Sequence, residues 1–171
     1  MLIFLTGFMG AGKTTAGKRL ASLLNYKFVD LDTQIEMETG LTVVELFQSG
    51  EYKFREVEAL VLRNCSGFEN AVISCGGGTP CFHDNLAWMN SQGITVYIQL
   101  SVGSLFHRLA ASKQKRPLLV GKTDVELMEY ISETLKEREY FYKQCHYTIK
   151  GEDLDVDEML KEIKRGEAQL R

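Results

Sequence analysis

The sequence predicts an α/β protein of three layers, with helices on both faces of a parallel sheet. Three observations carry that prediction. Short apolar, β-branched runs alternate with helix-patterned segments along all 171 residues. The resulting order, βαβαβαβαβα, calls for crossover connections, which place successive strands parallel and helices on the sheet faces. The stretch GFMGAGKTT, Gly7 to Thr15, follows the first strand and opens the first helix.

LIFLT, Leu2 to Thr6, is a continuous apolar run, as a strand covered on both faces should be. From Lys13 to Leu24 the pattern turns helical, with Ala16, Leu20, Leu23 and Leu24 on one side and Asn25 as the stop. FVDLD, Phe28 to Asp32, reads as a second strand, with Asp32 capping a helix that Gly40 ends. Thr42 and Glu45 make a capping box for a short helix, and a longer one runs from about Glu51 to Cys65 with Phe54, Val57, Val61 and Leu62 inward. AVISC (Ala71 to Cys75) and ITVYIQL (Ile94 to Leu100) are further strands, separated by a helix near Asp84 to Ser91. Ser101 caps a helix to about Ser112, Asp124 caps a long one to about Cys145, YTIK (Tyr147 to Lys150) is a last strand, and Asp155 to Arg165 a terminal helix. The basic segment Ala111 to Thr123, with Pro117 and Gly121, reads as a surface loop able to act as a lid. No repeat or proline-rich linker interrupts the chain, so one domain over residues 1–171 is expected.

Composition excludes several classes. A net charge of -3 offers no general attraction for nucleic acid or anionic lipid. The six-residue apolar start is too short for a signal-peptide core or a membrane span. Four cysteines without a CxxC pair and three scattered histidines argue against structural zinc, and reduced thiols in a cytoplasmic protein are the expectation.

Gly7 to Thr14 satisfies GxxxxGK[ST] in full, the phosphate loop of P-loop NTPases. Backbone N–H groups from Gly10, Ala11, Gly12, Lys13, Thr14 and Thr15 would curl around phosphate oxygens at the helix N-terminus. Lys13 supplies a point charge to the β- and γ-phosphates, and the Thr14 hydroxyl suits Mg²⁺. No NKxD-type guanine-reading segment follows, and the chain is small for a motor or transporter ATPase. A kinase for a small molecule fits better.

The acceptor side rests on three features. Asp30 and Asp32, read as alternate residues of one strand, share a face and reach the carboxyl edge of the sheet, where ligands bind. Gly76, Gly77 and Gly78 follow the third strand, and close approach of backbone to a ligand would explain three consecutive glycines. Arg55, among apolar inward residues, and Arg138, in LKEREYFY, can each hold a carboxylate in a bidentate fork.

Together GFMGAGKTT, DLD at Asp30 to Asp32, the run from Ile35 to Glu58 with its FRxxE, SCGGGT at Ser74 to Thr79, KRPLL at Lys115 to Leu119 and KEREYFY at Lys136 to Tyr142 resemble the shikimate kinases over nearly the whole chain. The resemblance implies a five-stranded parallel sheet of the nucleoside-monophosphate-kinase type with strand order 2-3-1-4-5, and a monomer. It implies transfer of phosphate from ATP, with Mg²⁺, to the 3-hydroxyl of shikimate in aromatic amino acid biosynthesis. It also implies an acceptor-binding region at about 32–62 and a lid at about 111–123. Carried over, Asp32 orients or deprotonates the acceptor hydroxyl, Arg55 and Arg138 clamp its carboxylate, and Gly76, Gly77 and Gly78 line the pocket. Asp30 holds Mg²⁺ through water, Arg116 swings over the phosphates, and Arg108 flanks the adenine. The family commonly has a proline two residues after the second clamp arginine, where this chain has Tyr140. A gluconate kinase and a non-catalytic nucleotide-binding module are the alternatives, the latter expecting loss of Lys13, Asp32 or Arg55. Cys75 and Cys81 flank the glycines, and an inert role as small buried residues is expected for them.

Overall fold

The structure is a computed structural model that describes residues 1–112 and 119–169, with side chains described as far as 166. Its elements follow the order β1 (Leu2–Thr6), α1 (Lys13–Leu24), β2 (Lys27–Asp30), α2 (Leu31–Thr39), α3 (Val43–Gln48), α4 (Glu51–Asn64), β3 (Ala71–Ser74), α5 (Asn85–Gln92), β4 (Gly93–Gln99), α6 (Val102–Ala110), α7 (Asp124–Tyr142), β5 (Tyr147–Lys150) and α8 (Val156–Gln169). A short 3₁₀ turn, Thr79–Cys81, lies just after the glycine triplet.

Five strands form one parallel sheet in the order β2-β3-β1-β4-β5. The order implied by the resemblance, 2-3-1-4-5, is the one observed. Side chains alternate along each strand, so β1 sends Ile3 and Leu5 to one face, and Leu2 and Phe4 to the other. The first face packs with Leu20 of α1, Leu105 of α6, Ile131 of α7 and Met159 of α8. The second packs with Ile35 of α2, Leu46 of α3, Leu62 of α4 and Met89 of α5. The two cores make the expected three layers.

A parallel sheet collects its carboxyl ends on one edge. Thr6, Asp30, Ser74 and Gln99 therefore finish their strands on the same side, and the phosphate loop leaves β1 there.

Three local expectations need correction. β2 stops at Asp30, and Leu31, fully buried, opens α2. Asp30, extended at φ -93°, is itself the N-cap: its carboxylate accepts a hydrogen bond from Thr33 N at 3.4 Å. Asp32 thus stands in the first helical turn, and it does not cap the helix. Similarly Thr123, not Asp124, caps α7, because its hydroxyl and the Glu126 carboxylate bond reciprocally to each other's backbone N–H. Leu23, expected inward, is 46% exposed, while Ala16 and Leu20 alone of that set are buried. The Thr42–Glu45 capping box and the left-handed Asn25 that ends α1 are as expected.

Candidate active site

Gly12 caps α1 in the left-handed region at φ 96°, with no side-chain capping hydrogen bond among the described residues. An uncapped helix start next to a glycine loop is a ready anion site. A side chain at Gly7 would also fail, since its Cβ would lie 2.7 Å from the Ile98 carbonyl. Lys13 bends back over the loop, its Nζ donating to the carbonyls of Gly7 at 2.8 Å and Phe8 at 2.9 Å. Beside it the Thr14 hydroxyl donates to Asp30 Oδ2 at 3.1 Å, with Ser74 Oγ 3.5 Å away. Ser74 was not singled out from the sequence.

On the far side of the loop Arg108 of α6 ties two segments together. Its Nη1 donates to Ala11 O at 3.2 Å and its Nη2 to Gly151 O at 2.9 Å. Arg108 thus joins the phosphate loop to the turn after β5. Arg116 lies outside the described residues.

A cleft of about 1000 Å³ opens between the phosphate loop and α2 to α4. It brings together Lys13, Asp32, Arg55, Glu58, Arg138 and the three glycines. Asp32 lines this cleft and keeps contact with solvent, and the partial loss of hydration there pushes its carboxyl up to about 6. Loss of hydration is the main cause, reinforced by the neighbouring negative charges of Asp30 and Glu58 and opposed by Lys13.

Arg55 is buried, 5% exposed, and is held rather than free. Its Nη1 donates to Glu58 Oε2 at 2.8 Å, and Glu58 Oε1 accepts from the Thr79 hydroxyl at 2.7 Å. Phe82 lies against its guanidinium at 4.3 Å and Phe54 at 5.0 Å. Glu58 had no role assigned from the sequence. Its signal was the FRxxE spacing, which puts an acid one turn after an arginine on a buried face.

Arg138 differs. Among the described residues it forms no ion pair, and it sits 5.9 Å over the Phe8 ring. α7 runs through Tyr140 without a break, and Tyr140 points to solvent at 71% exposure. The residue that replaces the family's proline therefore leaves the helix carrying Arg138 regular. Two residues on, Tyr142 donates to Gly77 O at 2.5 Å, fixing the glycines to α7.

The glycines prove specific to their neighbours. A Cβ on Gly78 would lie 2.5 Å from Arg55 Nη2, one on Gly77 3.2 Å from Arg138 Nη1, and one on Gly76 3.2 Å from Glu58 Oε1 and 3.5 Å from Asp32 Oδ1. The triplet makes room for the protein's own charged side chains. Gly78→Ala is expected to displace Arg55 and weaken acceptor binding at least tenfold, the scale of about 1.4 kcal/mol, with ATP affinity unchanged in a calorimetric titration.

Cys75 is buried, its thiol held well above its ordinary pKa by desolvation, and the half-buried Cys81 is pushed up to about 11. Both stay protonated thiols at neutral pH, against an oxidation-sensitive role. Among the described residues no helix is long and apolar enough to cross a membrane.

A phosphate loop on a sheet of this order, facing an acidic residue and two arginines across a cleft, defines a P-loop kinase with a small acceptor. The shikimate kinase family model matches residues 9–166. The shikimate kinase of Bacteroides thetaiotaomicron is 50% identical over 154 residues, covering 90% of this chain and 88% of that protein. That of Phocaeicola vulgatus is 44% identical, covering 95% and 98%. A crystal structure of shikimate kinase from Acinetobacter baumannii in complex with shikimate superposes with a TM-score of 0.85 at 32% identity, covering 99% of this chain and 94% of that one. A gluconokinase from Sinorhizobium meliloti, at 18% identity and a TM-score of 0.60, shares the fold. This chain belongs to the shikimate kinase family, and it is a kinase that takes ATP as co-substrate.

Proposed function

We propose that the enzyme transfers the γ-phosphoryl group of ATP to the 3-hydroxyl of shikimate, yielding shikimate 3-phosphate for aromatic amino acid biosynthesis. The observation that carries this reading is Arg138, a cation with no ion pair among the described residues, lining the same cleft as Arg55 and Asp32. Such a pair suits a compact ring bearing a carboxylate at one end and hydroxyls at the other. Gluconate kinase is disfavoured: the likeness to the gluconokinase extends to the fold alone. Lys13, Asp32 and Arg55 are all retained, which disfavours a non-catalytic module.

Each residue then has a task. Gly10, Ala11, Gly12, Lys13, Thr14 and Thr15 hold the triphosphate, and Lys13 leaves the carbonyls of Gly7 and Phe8 to meet it. Arg55 and Arg138 fix the carboxylate, with Gly76, Gly77 and Gly78 forming the floor. Asp32 accepts a hydrogen bond from the 3-hydroxyl and aims its oxygen at the γ-phosphorus. As the new O–P bond forms and the bond to ADP breaks, the hydroxyl proton passes to Asp32. Because such transition states are loose, orientation contributes more than proton removal.

Mg²⁺ fits the donor set. Thr14 Oγ1 and Asp30 Oδ2 lie 3.1 Å apart beside the loop, two hard oxygen donors of the kind Mg²⁺ takes together with phosphate oxygens. When bound, the ion supplies charge neutralisation at the β- and γ-phosphates. Thr14 would ligate it directly and Asp30 through water.

Residues 1–171 make one kinase domain in this reading, with the acceptor region at about 32–62 and the lid at about 111–123. Arg108 flanks the adenine from its place between Ala11 and Gly151. Donor and acceptor residues on one chain suit a cytoplasmic monomer acting on diffusing small molecules, with no nucleic-acid or membrane partner. Arg116, in the lid, closes over the transferring phosphoryl group. Arg116→Ala is expected to lower kcat about 10³-fold, the scale of an arginine finger, and to change the acceptor Kd little; an unchanged kcat removes Arg116 from the mechanism. Release of ADP on adding shikimate, with the phosphate located on the 3-oxygen by NMR, tests the reaction; no release refutes it.

A further inference from the structure

The three kinds of nitrogen in the Arg55 guanidinium are used unequally. Nη1 is committed to Glu58, a carboxylate 1% exposed and itself fixed by Thr79. Nη2 lies 3.3 Å from Glu51 Oε1, and the Glu51 side chain is 59% exposed. Nε is buried and has no hydrogen-bond partner among the described residues. Nε and Nη2 share one edge of the guanidinium, and two donors on one edge are what a bidentate carboxylate takes. Half of that edge is orphaned, and the other half is held by a side chain free to leave.

The charge balance points the same way. Glu58 alone neutralises Arg55, so Glu51 is a surplus negative charge at the clamp. Its contact is weak in geometry, at the exposed start of α4 and four residues before Arg55. Exposed pairs of this kind contribute little to stability. A buried N–H without a partner is, by contrast, a costly feature that a ligand oxygen would relieve.

We propose that Glu51 is a placeholder for the acceptor's carboxylate: it holds Nη2 of Arg55 until the acceptor arrives, then swings into solvent as the acceptor takes the Nε–Nη2 edge. The inference rests on the reading above that the acceptor carries a carboxylate. Glu51 thereby sets the affinity for the acceptor by competing with it. Glu58 cannot play this part, because Thr79 and Arg55 pin both its oxygens. Removing the competing charge should therefore tighten binding, the reverse of what loss of a structural contact does.

Calorimetric titration of the full chain with shikimate, without nucleotide, tests this. Glu51→Gln and Glu51→Ala are expected to lower the Kd about three- to fivefold, as fits the worth of an exposed ion pair, with the Kd for ATP unchanged. In an Arg55→Lys background the gain should vanish, because lysine has no such edge. Wild type that binds shikimate while both Glu51 variants bind it no more tightly overturns the placeholder and leaves the clamp standing. A gain that persists with Arg55→Lys also overturns it. If neither wild type nor the Glu51 variants bind shikimate, the acceptor assignment itself falls, and the placeholder with it.

Discussion

Asp32→Asn is expected to lower kcat about 10²- to 10³-fold, the range of a positioned acid or base, while making the free protein more stable at pH 8. The two effects share one cause. The cleft in which the proposed reaction sets Asp32 beside the acceptor hydroxyl also thins the water around its solvent-facing carboxyl and puts it near Asp30 and Glu58, which pushes its pKa up to about 6. In the unfolded chain the carboxyl titrates in its ordinary range, so the fold binds this proton the more tightly. The group's contribution therefore favours the fold at low pH and is lost as pH rises through about 6. Above that, the ionised carboxylate strains the free protein, and asparagine does not. Thermal unfolding should show Asp32→Asn more stable than wild type at pH 8, with the difference shrinking as pH falls through 6. In the wild type, kcat/KM for the acceptor should fall about tenfold per unit on the acid side, with an apparent pKa near 6 in the free enzyme. An Asp32→Asn enzyme with nearly full kcat would remove the carboxylate from the chemistry.

Arg138→Ala is expected to weaken acceptor binding about 100-fold, since a charge-assisted bidentate contact is worth about 3 kcal/mol. ATP affinity and thermal stability should stay near those of the wild type. The clean separation comes from the surroundings. Arg138 has no ion pair among the described residues, so no buried carboxylate is stranded when it goes. Arg55→Ala also weakens acceptor binding by a few kcal/mol, but it leaves Glu58 buried and short of its partner, and should destabilise the fold as well. A comparison of acceptor Kd and melting temperature for the two variants checks this; equal loss of ATP and acceptor binding in either would sink the clamp.

What the sequence made legible, and what it did not, follows from distance along the chain. The phosphate loop and the Thr42–Glu45 box are complete within a few residues, and both stand where expected. The strand order came from resemblance, since pairings such as Leu2 with Ala71 and with Gly93 are too remote for any local pattern. Asp30 and Asp32 pass for strand neighbours in the sequence because an alternating run and a capped helix start look alike over five residues; burial of Leu31 at the start of α2 separates the two. The glycine triplet signalled close approach, but what approaches includes Arg55, Arg138 and Glu58, from helices far along the chain. Arg55 stood out as a charge on an apolar face, and its support by Glu58 and Thr79 became visible only when α4 met the turn after β3.

The central claim is that residues outside the phosphate loop choose a carboxylated ring as the acceptor. Its most direct test is ADP release, with ATP and Mg²⁺, across a panel of shikimate, quinate, gluconate and nucleoside monophosphates. Turnover with shikimate far above the rest is the expected result; activity on gluconate or on a nucleotide alone would contradict it.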